Sequence, residues 1–200
     1  MSQLVDRHET VRLLHGGGVV AVPTDTVYGL AASLDHPQAV QRLFEIKRRP
    51  TTTALPILVD SLTSIERLGV NWPAQAQRLS ERFWPGALTI VVGVPHELAA
   101  LVGSTSDTAG FRIPDHQLVG DVLIEVGPLA VSSANQHGAP PCRSAGEVLD
   151  TFAGPDELDG VLDGAAGAGE VSTVVEVDDS SWRIVRQGAL SADELALALE

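Results

Sequence analysis

Hydroxyl groups and a carboxylate crowd the end of an apolar run near the start of the chain. Residues 19–22 (VVAV) lead into residues 23–30 (PTDTVYGL), where Thr24, Asp25 and Thr26 follow one another. Open α/β sheets hold their ligands at strand ends, so this bend predicts a binding site. The alternative is a polar turn in which the threonine and aspartate side chains bond their own backbone.

A single lysine stands among the 13 basic residues, and its position favours an anion site. Val40, Leu43, Phe44 and Lys47 are spaced at i, i+3, i+4 and i+7, so on a helix Lys47 extends an apolar stripe. An ammonium group is a compact donor that suits a phosphate oxygen. The alternative is a solvated lysine that closes the last turn of the helix.

Further polar positions have the chemistry of anion binding. Arg112 can grip a carboxylate in a bidentate way, and Pro114 stiffens the chain beyond it. Ser133 and Asn135 follow a predicted strand, where short polar side chains and backbone amides can form an anion nest. Ser172 opens a β-branched run. The alternatives are a surface ion pair for the arginine, an Asx turn after the strand and an ordinary strand start.

Composition limits the classes of function. The 200 residues, 44% of them hydrophobic, predict a single domain over residues 1–200 with one sizeable core. The net charge of −13 argues against a surface that tracks duplex nucleic acid. No apolar run reaches the ~20 residues of a membrane span and no secretory leader pattern is present, so we expect a soluble cytoplasmic protein. Cys142 is the only cysteine and the six histidines lack metal-ligand spacing, so neither an internal disulfide nor a protein-built metal site is expected.

Hydrophobic periodicity predicts an α/β fold. Helices are expected at residues 9–15, from 35–36 onward, at 64–69, 73–83 and 117–126, and after a capping box at 191–194. Strands are expected at residues 19–22, 55–59, 88–94, 129–131, 172–177 and 182–186. Elements without a strict βαβ cycle predict a twisted mixed sheet. The Gly- and Ala-rich residues 160–169 are interpreted as a mobile loop that forms a flap over the site, and residues 84–86 as a core turn outside it.

Seven segments resemble, in the same order, motifs of the YrdC/TsaC family. They are residues 23–30 (PTDTVYGL), 47–50 (KRRP), 83–89 (FWPGALT), 112–116 (RIPDH), 132–135 (SSAN), 172–175 (STVV) and 186–189 (RQGA). The resemblance covers nearly the whole chain. It implies a single-domain YrdC-like fold with helices around a deep cleft. The implied activity is synthesis of threonylcarbamoyl-adenylate from L-threonine, bicarbonate and ATP, with release of pyrophosphate, for the t6A modification of tRNA.

The resemblance also implies roles for particular side chains. The nucleotide would be bound by Lys47, Arg49, Thr108, Ser133, Asn135 and Arg186, the first two of which would be catalytic. L-Threonine would be bound by Thr26, Arg112 and Ser172. Mg²⁺ would arrive with the triphosphate, aided by Asp25, and a tRNA threonylcarbamoyl transferase machinery would consume the product. The carbamate of threonine is itself the nucleophile, so the protein has to align the substrates and neutralise charge.

Several positions depart from the family pattern, mostly on the nucleotide side. They are Ala54 for a usual proline, Leu58 for a frequent histidine or polar residue, Gln136 and His137 in place of x-Ser, Arg143 for a common threonine, and Gln187 for a proline. These departures keep open a YrdC-like module that binds nucleotide or double-stranded RNA without turnover. A carbamoyl transferase acting on another acceptor is a further alternative, although such enzymes carry additional domains.

Overall fold

The computed structural model describes residues 3–48, 54–136, 139–154, 157–167 and 170–199. The strands in these ranges are β1 (Leu4–Val5), β2 (Val20–Val22), β3 (Gly29–Ser33), β4 (Ile57–Leu58), β5 (Leu88–Gly93), β6 (Thr108–Arg112), β7 (Leu129–Ser133), β8 (Gly160–Leu162), β9 (Thr173–Val177) and β10 (Trp182–Arg186). The helices are α1 (Arg7–His15), α2 (Pro37–Ile46), α3 (Leu62–Arg67), α4 (Ala74–Phe83), α5 (His96–Leu101), α6 (Gln117–Val126), α7 (Ala145–Thr151) and α8 (Ala192–Leu199).

One sheet takes up all the strands of the described ranges, in the order β1-β8-β2-β3-β7-β4-β6-β5-β9-β10. The pairs β1/β8, β2/β8, β4/β6 and β5/β9 are parallel, and the other neighbours are antiparallel. Strands of L-residues twist in the right-handed sense, so a sheet of this width is strongly twisted. The predicted mixed, twisted α/β fold is confirmed.

Helices cover both faces of the middle of the sheet. Leu43 of α2 packs in one hydrophobic core with Leu30 of β3. Val122 of α6 packs on the opposite face with Val22 of β2. Since both faces are covered, β2 and β3 are buried along their whole length.

The end of the sheet formed by β5, β9 and β10 is packed on one face and open on the other. Ile90 of β5 and Val175 of β9 are fully buried in the larger core. Their neighbours Thr89, Val174 and Glu176 point to the opposite face, because strand side chains alternate, and there they line a cavity. Strand alternation therefore positions the polar groups described below.

Six of the eight helices of the described ranges were predicted, with bounds that differ by up to two residues, whereas α5 and α7 were not predicted. Helix α6 has the predicted bounds, and so does strand β10. Asp6 caps α1 by accepting a hydrogen bond from the backbone N–H of Glu9 at 2.8 Å, so this helix begins earlier than predicted, at Arg7. In the predicted capping box of α8, Ser191 N donates to Glu194 Oε2 at 2.8 Å and Glu194 N donates to Ser191 Oγ at 3.3 Å.

The prediction of a mobile flap at residues 160–169 is wrong for its first part. Gly160–Leu162 form β8, which is buried and hydrogen-bonded between β1 and β2. The chain beyond it is also fixed, since Gly167 N donates to Thr24 O at 2.8 Å. The small residues that suggested a flexible loop instead allow β8 and the chain after it to pack closely against their neighbours. The last two residues of the segment lie outside the described ranges.

The helices of the described ranges are all too short or too polar to cross a membrane.

Candidate active site

A cavity of about 480 Å³ lies on the open face of the sheet. Its lining includes six of the nine side chains predicted to bind substrates: Thr26, Thr108, Arg112, Ser133, Ser172 and Arg186. Lys47 and Asn135 are not part of the lining, and Arg49 lies outside the described residues. The described residues 160–167, expected as a flap, do not line the cavity either. The fold thus brings residues from both ends of the chain to one site.

The hydroxyl of Thr24 organises the bend between β2 and β3. Thr24 Oγ1 donates to Val27 O at 2.7 Å and accepts from the backbone N–H groups of Thr26 at 3.2 Å and Val27 at 3.3 Å. This is the local backbone bonding that the sequence offered as the alternative to a binding site. Thr24 therefore bonds its own backbone, as in the alternative. Its Oγ1 also lies 2.9 Å from Thr26 Oγ1 and so holds this buried hydroxyl in the cavity wall.

Tyr28, which is fully buried, ties the same bend to the chain after β8. Its hydroxyl lies 3.1 Å from Leu162 O and 2.6 Å from Gly164 O, to which it donates. Burial raises the pKa of Tyr28 to about 12, and the nearby carboxylate of Asp163 acts in the same direction. The phenol therefore stays protonated at neutral pH and keeps its role as a donor.

Arg112 of β6 is fixed in the cavity wall by three partners. Nε donates to Gly86 O at 2.8 Å, Nη1 to Thr26 Oγ1 at 3.1 Å and Nη2 to Asp25 Oδ1 at 2.6 Å. The Arg112 side chain is only 7% exposed; burial lowers its pKa, and Asp25 opposes that shift. Arg112 thus forms a buried ion pair with Asp25, and not the surface ion pair that the sequence left open. Because a guanidinium has five N–H donors, two remain for a ligand.

The turn at residues 84–86, interpreted above as a core turn outside the site, supports this arginine through the carbonyl of Gly86. Trp84 packs against the core, and its Nε1 donates to Leu88 O at 2.8 Å. The turn thus lies outside the cavity lining but fixes one of its cations.

Arg186, at the end of β10, is held mainly by Ser172. Its Nη2 donates to Ser172 O at 2.7 Å and to Ser172 Oγ at 3.0 Å. Ser172 Oγ also lies 2.9 Å from the buried hydroxyl of Thr89. Burial lowers the pKa of Arg186, and the positive charge of Arg112 adds to the shift. In the described part of the chain no carboxylate forms an ion pair with Arg186.

Lys47 is buried, as its place in the apolar stripe predicts, but its ammonium group lies behind the cavity wall. Nζ donates to Ser133 O at 2.7 Å and to both the backbone oxygen and Oδ1 of Asn135 at 2.5 Å. Ser133 Oγ donates to Asn135 Oδ1 at 2.8 Å. The alternative of a solvated lysine is therefore wrong. The observed role of Lys47 is to hold the backbone beyond β7, and its contact with a phosphate stays a prediction.

The departures from the family pattern fall in different places. Ala54 and Leu58 line the cavity and make that part of its wall apolar. Arg143 and Gln187 are exposed and are not part of the lining. His137 lies outside the described residues. Two departures therefore touch the site directly.

Sequence reasoning missed polar cavity residues, of which Thr89, Ser132 and Glu176 are the most informative. Each is a polar residue in a mainly apolar strand, where side chains alternate between the two faces of the sheet. The hydroxyl of Ser132 is buried without a hydrogen-bond partner in the described structure. Polar residues in mainly apolar strands were the available signal. They indicate cavity residues only once it is known which face of the sheet is open.

Acidic and histidine side chains do not gather into a metal-binding group in the described ranges. Asp25, expected to aid Mg²⁺, is instead paired with Arg112 at 2.6 Å. That pairing makes the carboxylate a support for the arginine. The absence of a protein-built metal site stays a prediction.

Comparison with known proteins decides the family. The family model of the Sua5, YciO and YrdC proteins, described as telomere recombination, matches residues 12–188. The chain belongs to the Sua5/YciO/YrdC family. The match extends from α1 past the end of β10, and so includes the whole cavity.

Individual members of the Sua5/YciO/YrdC family resemble the chain over most of its length. A threonylcarbamoyl-AMP synthase of Bacillus subtilis is 34% identical over 190 residues, which are 94% of this chain and 54% of that protein. A putative threonylcarbamoyl-AMP synthase of Mycobacterium leprae is 38% identical, covering 94% of this chain and 86% of the relative. Pyrococcus abyssi Sua5, solved in complex with L-threonine, matches with a TM-score of 0.89 at 31% identity, covering 100% of this chain and 61% of that one. The chain spans about half the length of the Bacillus and Pyrococcus proteins.

Proposed function

We propose that this chain is a threonylcarbamoyl-AMP synthase, a nucleotidyltransferase that converts L-threonine, bicarbonate and ATP into threonylcarbamoyl-adenylate and pyrophosphate. The observation that carries the proposal is the presence of Arg112 and Arg186 on one cavity, each beside a buried hydroxyl. The relatives named as synthases and the Pyrococcus protein bound to L-threonine support this choice of reaction.

L-Threonine binds at Arg112 in this proposal. Two guanidinium N–H groups remain after the three observed bonds, enough for a bidentate contact with the α-carboxylate. Thr26 and Ser172 lie on the same cavity and can bond the substrate hydroxyl or amino group. Recognition of the amino acid thus uses groups that the fold already holds in place.

The nucleotide binds at Arg186, with Thr108 and Ser133 as further contacts on the cavity wall. Arg186 lacks an ion-pair partner in the described residues, so a phosphate would supply the missing negative charge. Lys47 and Asn135 fix Ser133, and the proposed phosphate contacts of Lys47 and Arg49 complete the nucleotide site. Mg²⁺ is carried by the triphosphate, since Asp25 is already paired.

The reaction needs no protein nucleophile. The amino group of threonine adds to bicarbonate with loss of water to give a carbamate. A carbamate oxygen then attacks the α-phosphorus, the bond to the bridging β-phosphate oxygen breaks, and pyrophosphate leaves. Both reactants are anions, so the main contribution of the protein is alignment by fixed donors at Arg112 and the positive charge of Arg186.

The product is an activated acyl-adenylate, so an acyl-transfer step must consume it. We propose that a tRNA threonylcarbamoyl transferase machinery does so, in the cytoplasm, for t6A modification. The chain itself is proposed to make no tight contact with duplex nucleic acid, because its net charge of −13 repels a polyanion.

The test is an omission assay on the purified protein. Pyrophosphate release is measured with ATP, Mg²⁺, bicarbonate and L-threonine, and then with each component left out. We expect release only from the complete mixture. ATP binding with no release would favour a module without turnover, and release that needs an added carbamoyl donor in place of threonine would favour a carbamoyl transferase for another acceptor.

A further inference from the structure

The charges of the cavity are unequally distributed. Three of the described lining residues carry formal charge: Arg112, Arg186 and Glu176. The two arginines line the same cavity, and the positive charge of Arg112 contributes to the lowered pKa of Arg186. Ser172, the hydrogen-bond partner of Arg186, precedes Glu176 of β9 by four residues. Along a strand this spacing puts Ser172 and Glu176 about 13 Å apart. The cavity therefore has a cationic end and a carboxylate end.

The wall between these ends is apolar. Val174 separates Ser172 from Glu176 on the same face of β9, and Val91 of β5 is the cross-strand neighbour of Glu176. Gly110 of β6 keeps the wall flat, because a Cβ at that position would come within 2.9 Å of the Thr89 methyl group. A flat apolar wall suits an uncharged ring system more than a phosphate chain.

The carboxylate of Glu176 is held but not fully used. Its Oε2 pairs with Arg183, its cross-strand neighbour on β10. Its Oε1 has no hydrogen-bond partner in the described structure, and the side chain is 32% exposed at the edge of the cavity. An ionised carboxylate only accepts hydrogen bonds, so it selects a ligand group that donates them and repels phosphate.

We infer that Glu176 binds the ribose hydroxyls of the nucleotide and selects ribonucleotides over 2′-deoxyribonucleotides. The inference rests on the proposed function, which puts the phosphates at Arg186. A nucleotide anchored there extends its nucleoside along Val174 towards Glu176. A vicinal diol offers two O–H donors, and acidic side chains take the same role on ribose in dinucleotide-binding folds. Arg183 offsets part of the negative charge of Glu176, so the triphosphate is not repelled.

The test is calorimetric titration of ATP and 2′-deoxy-ATP into the parent protein and the Glu176→Ala variant. The parent is expected to bind ATP about tenfold more tightly, the ratio expected from one charge-assisted hydrogen bond. In Glu176→Ala we expect ATP to lose its advantage over 2′-deoxy-ATP, which weakens less because it has only the 3′-hydroxyl to donate to the carboxylate. Glu176→Gln, which retains an acceptor oxygen, should keep part of the preference.

Glu66→Ala is the matched control, since it removes an exposed glutamate from α3, away from the cavity. It should leave both affinities at the parent values. Equal weakening of the two nucleotides in Glu176→Ala, or a preference that persists in it, would overturn the ribose assignment. A parent that releases pyrophosphate normally but binds both nucleotides equally would overturn this assignment alone. A parent that binds neither nucleotide would overturn the proposed function as well.

Discussion

The two arginines of the cavity differ in how the fold supports them. Arg112 has a carboxylate, a hydroxyl and a backbone carbonyl as partners, contributed by Asp25, Thr26 and Gly86. Arg186 has only the carbonyl and hydroxyl of Ser172 among the described residues. Burial lowers the pKa of both, but a negative charge opposes the shift at Arg112 and a positive charge adds to it at Arg186.

This difference indicates that the Arg112 corner mainly positions a substrate, whereas the Arg186 corner mainly supplies positive charge. The Arg112 corner is nearly neutral and rigid, so its specificity for an amino acid comes from donors held in a fixed geometry. The Arg186 corner carries a positive charge that no carboxylate of the described residues pairs with, and a phosphate can neutralise it. Substitutions at the two corners should therefore affect different substrates and should change folding stability by different amounts.

Replacing Arg112 with alanine should have the largest effect, because it removes the proposed contact with the α-carboxylate of L-threonine. It also leaves the partly buried Asp25 without its ion-pair partner. We expect L-threonine affinity to fall about 10- to 100-fold. The free energy of unfolding should fall by about 3 kcal/mol, towards the lower end for a broken buried pair. Calorimetry and denaturant unfolding measure the two effects. Threonine binding at parent affinity would remove Arg112 from the amino-acid site.

Replacing Arg186 with alanine should weaken ATP about 10- to 100-fold, because one charge-assisted phosphate contact is lost. The free energy of unfolding should change by less than about 1 kcal/mol, since no carboxylate of the described residues loses its partner. Arg186→Lys keeps the charge and serves as the control, with an intermediate affinity. If Arg186→Ala destabilised the fold as strongly as Arg112→Ala, the proposed contrast between the two corners would be incorrect.

Asp25→Asn tests whether the carboxylate at the Arg112 corner is a support or a ligand. The amide oxygen can still accept from Arg112 Nη2, so threonine affinity should stay within about threefold of the parent. Unfolding free energy should fall by about 1–2 kcal/mol, because a hydrogen bond to a charged group becomes weaker. Loss of threonine binding as large as in Arg112→Ala would instead identify Asp25 as a direct substrate contact.

Tyr28→Phe should have the smallest effect, about 1 kcal/mol at neutral pH, from loss of the hydroxyl that ties the Thr24 bend to Gly164. The pKa of Tyr28 is raised from 10.0 to about 12, so the folded state favours the protonated phenol. Its contribution is complete below pH 10 and is lost as the pH rises to about 12. Unfolding measured across this window should show a smaller decline for Tyr28→Phe than for the parent. Identical declines would contradict the pKa assignment.

The elements with strong periodicity could be predicted from the sequence, and the weakly patterned strands could not. Helix α6 carries an apolar stripe and a glycine stop, and its bounds were predicted correctly. Strand β3 (GLAAS) and strand β6 (TAGFR) contain small residues of low β-propensity, so neither was predicted. Pairing with neighbouring strands determines these segments, and local sequence does not encode that pairing.

In the candidate site, too, some features could be predicted from the sequence and others could not. Resemblance to the family found six residues that share the cavity: five belong to motifs at or beside strand ends, and Thr108 begins β6. It did not reveal that Lys47 turns towards Ser133 and Asn135, since the direction of a side chain at the end of α2 depends on how that helix packs against the sheet. The role of Arg49 and the extent of one domain over residues 1–200 stay predictions.

The most direct test of the central claim is isotope incorporation into the product. Parent protein is incubated with ATP, Mg²⁺, L-threonine and ¹³C-bicarbonate, and the nucleotide products are analysed by mass. We expect an adenylate that contains threonine and one carbon from bicarbonate, absent from the Arg112→Ala and Arg186→Ala reactions. ATP that remains intact, or an adenylate of threonine without the labelled carbon, would contradict it.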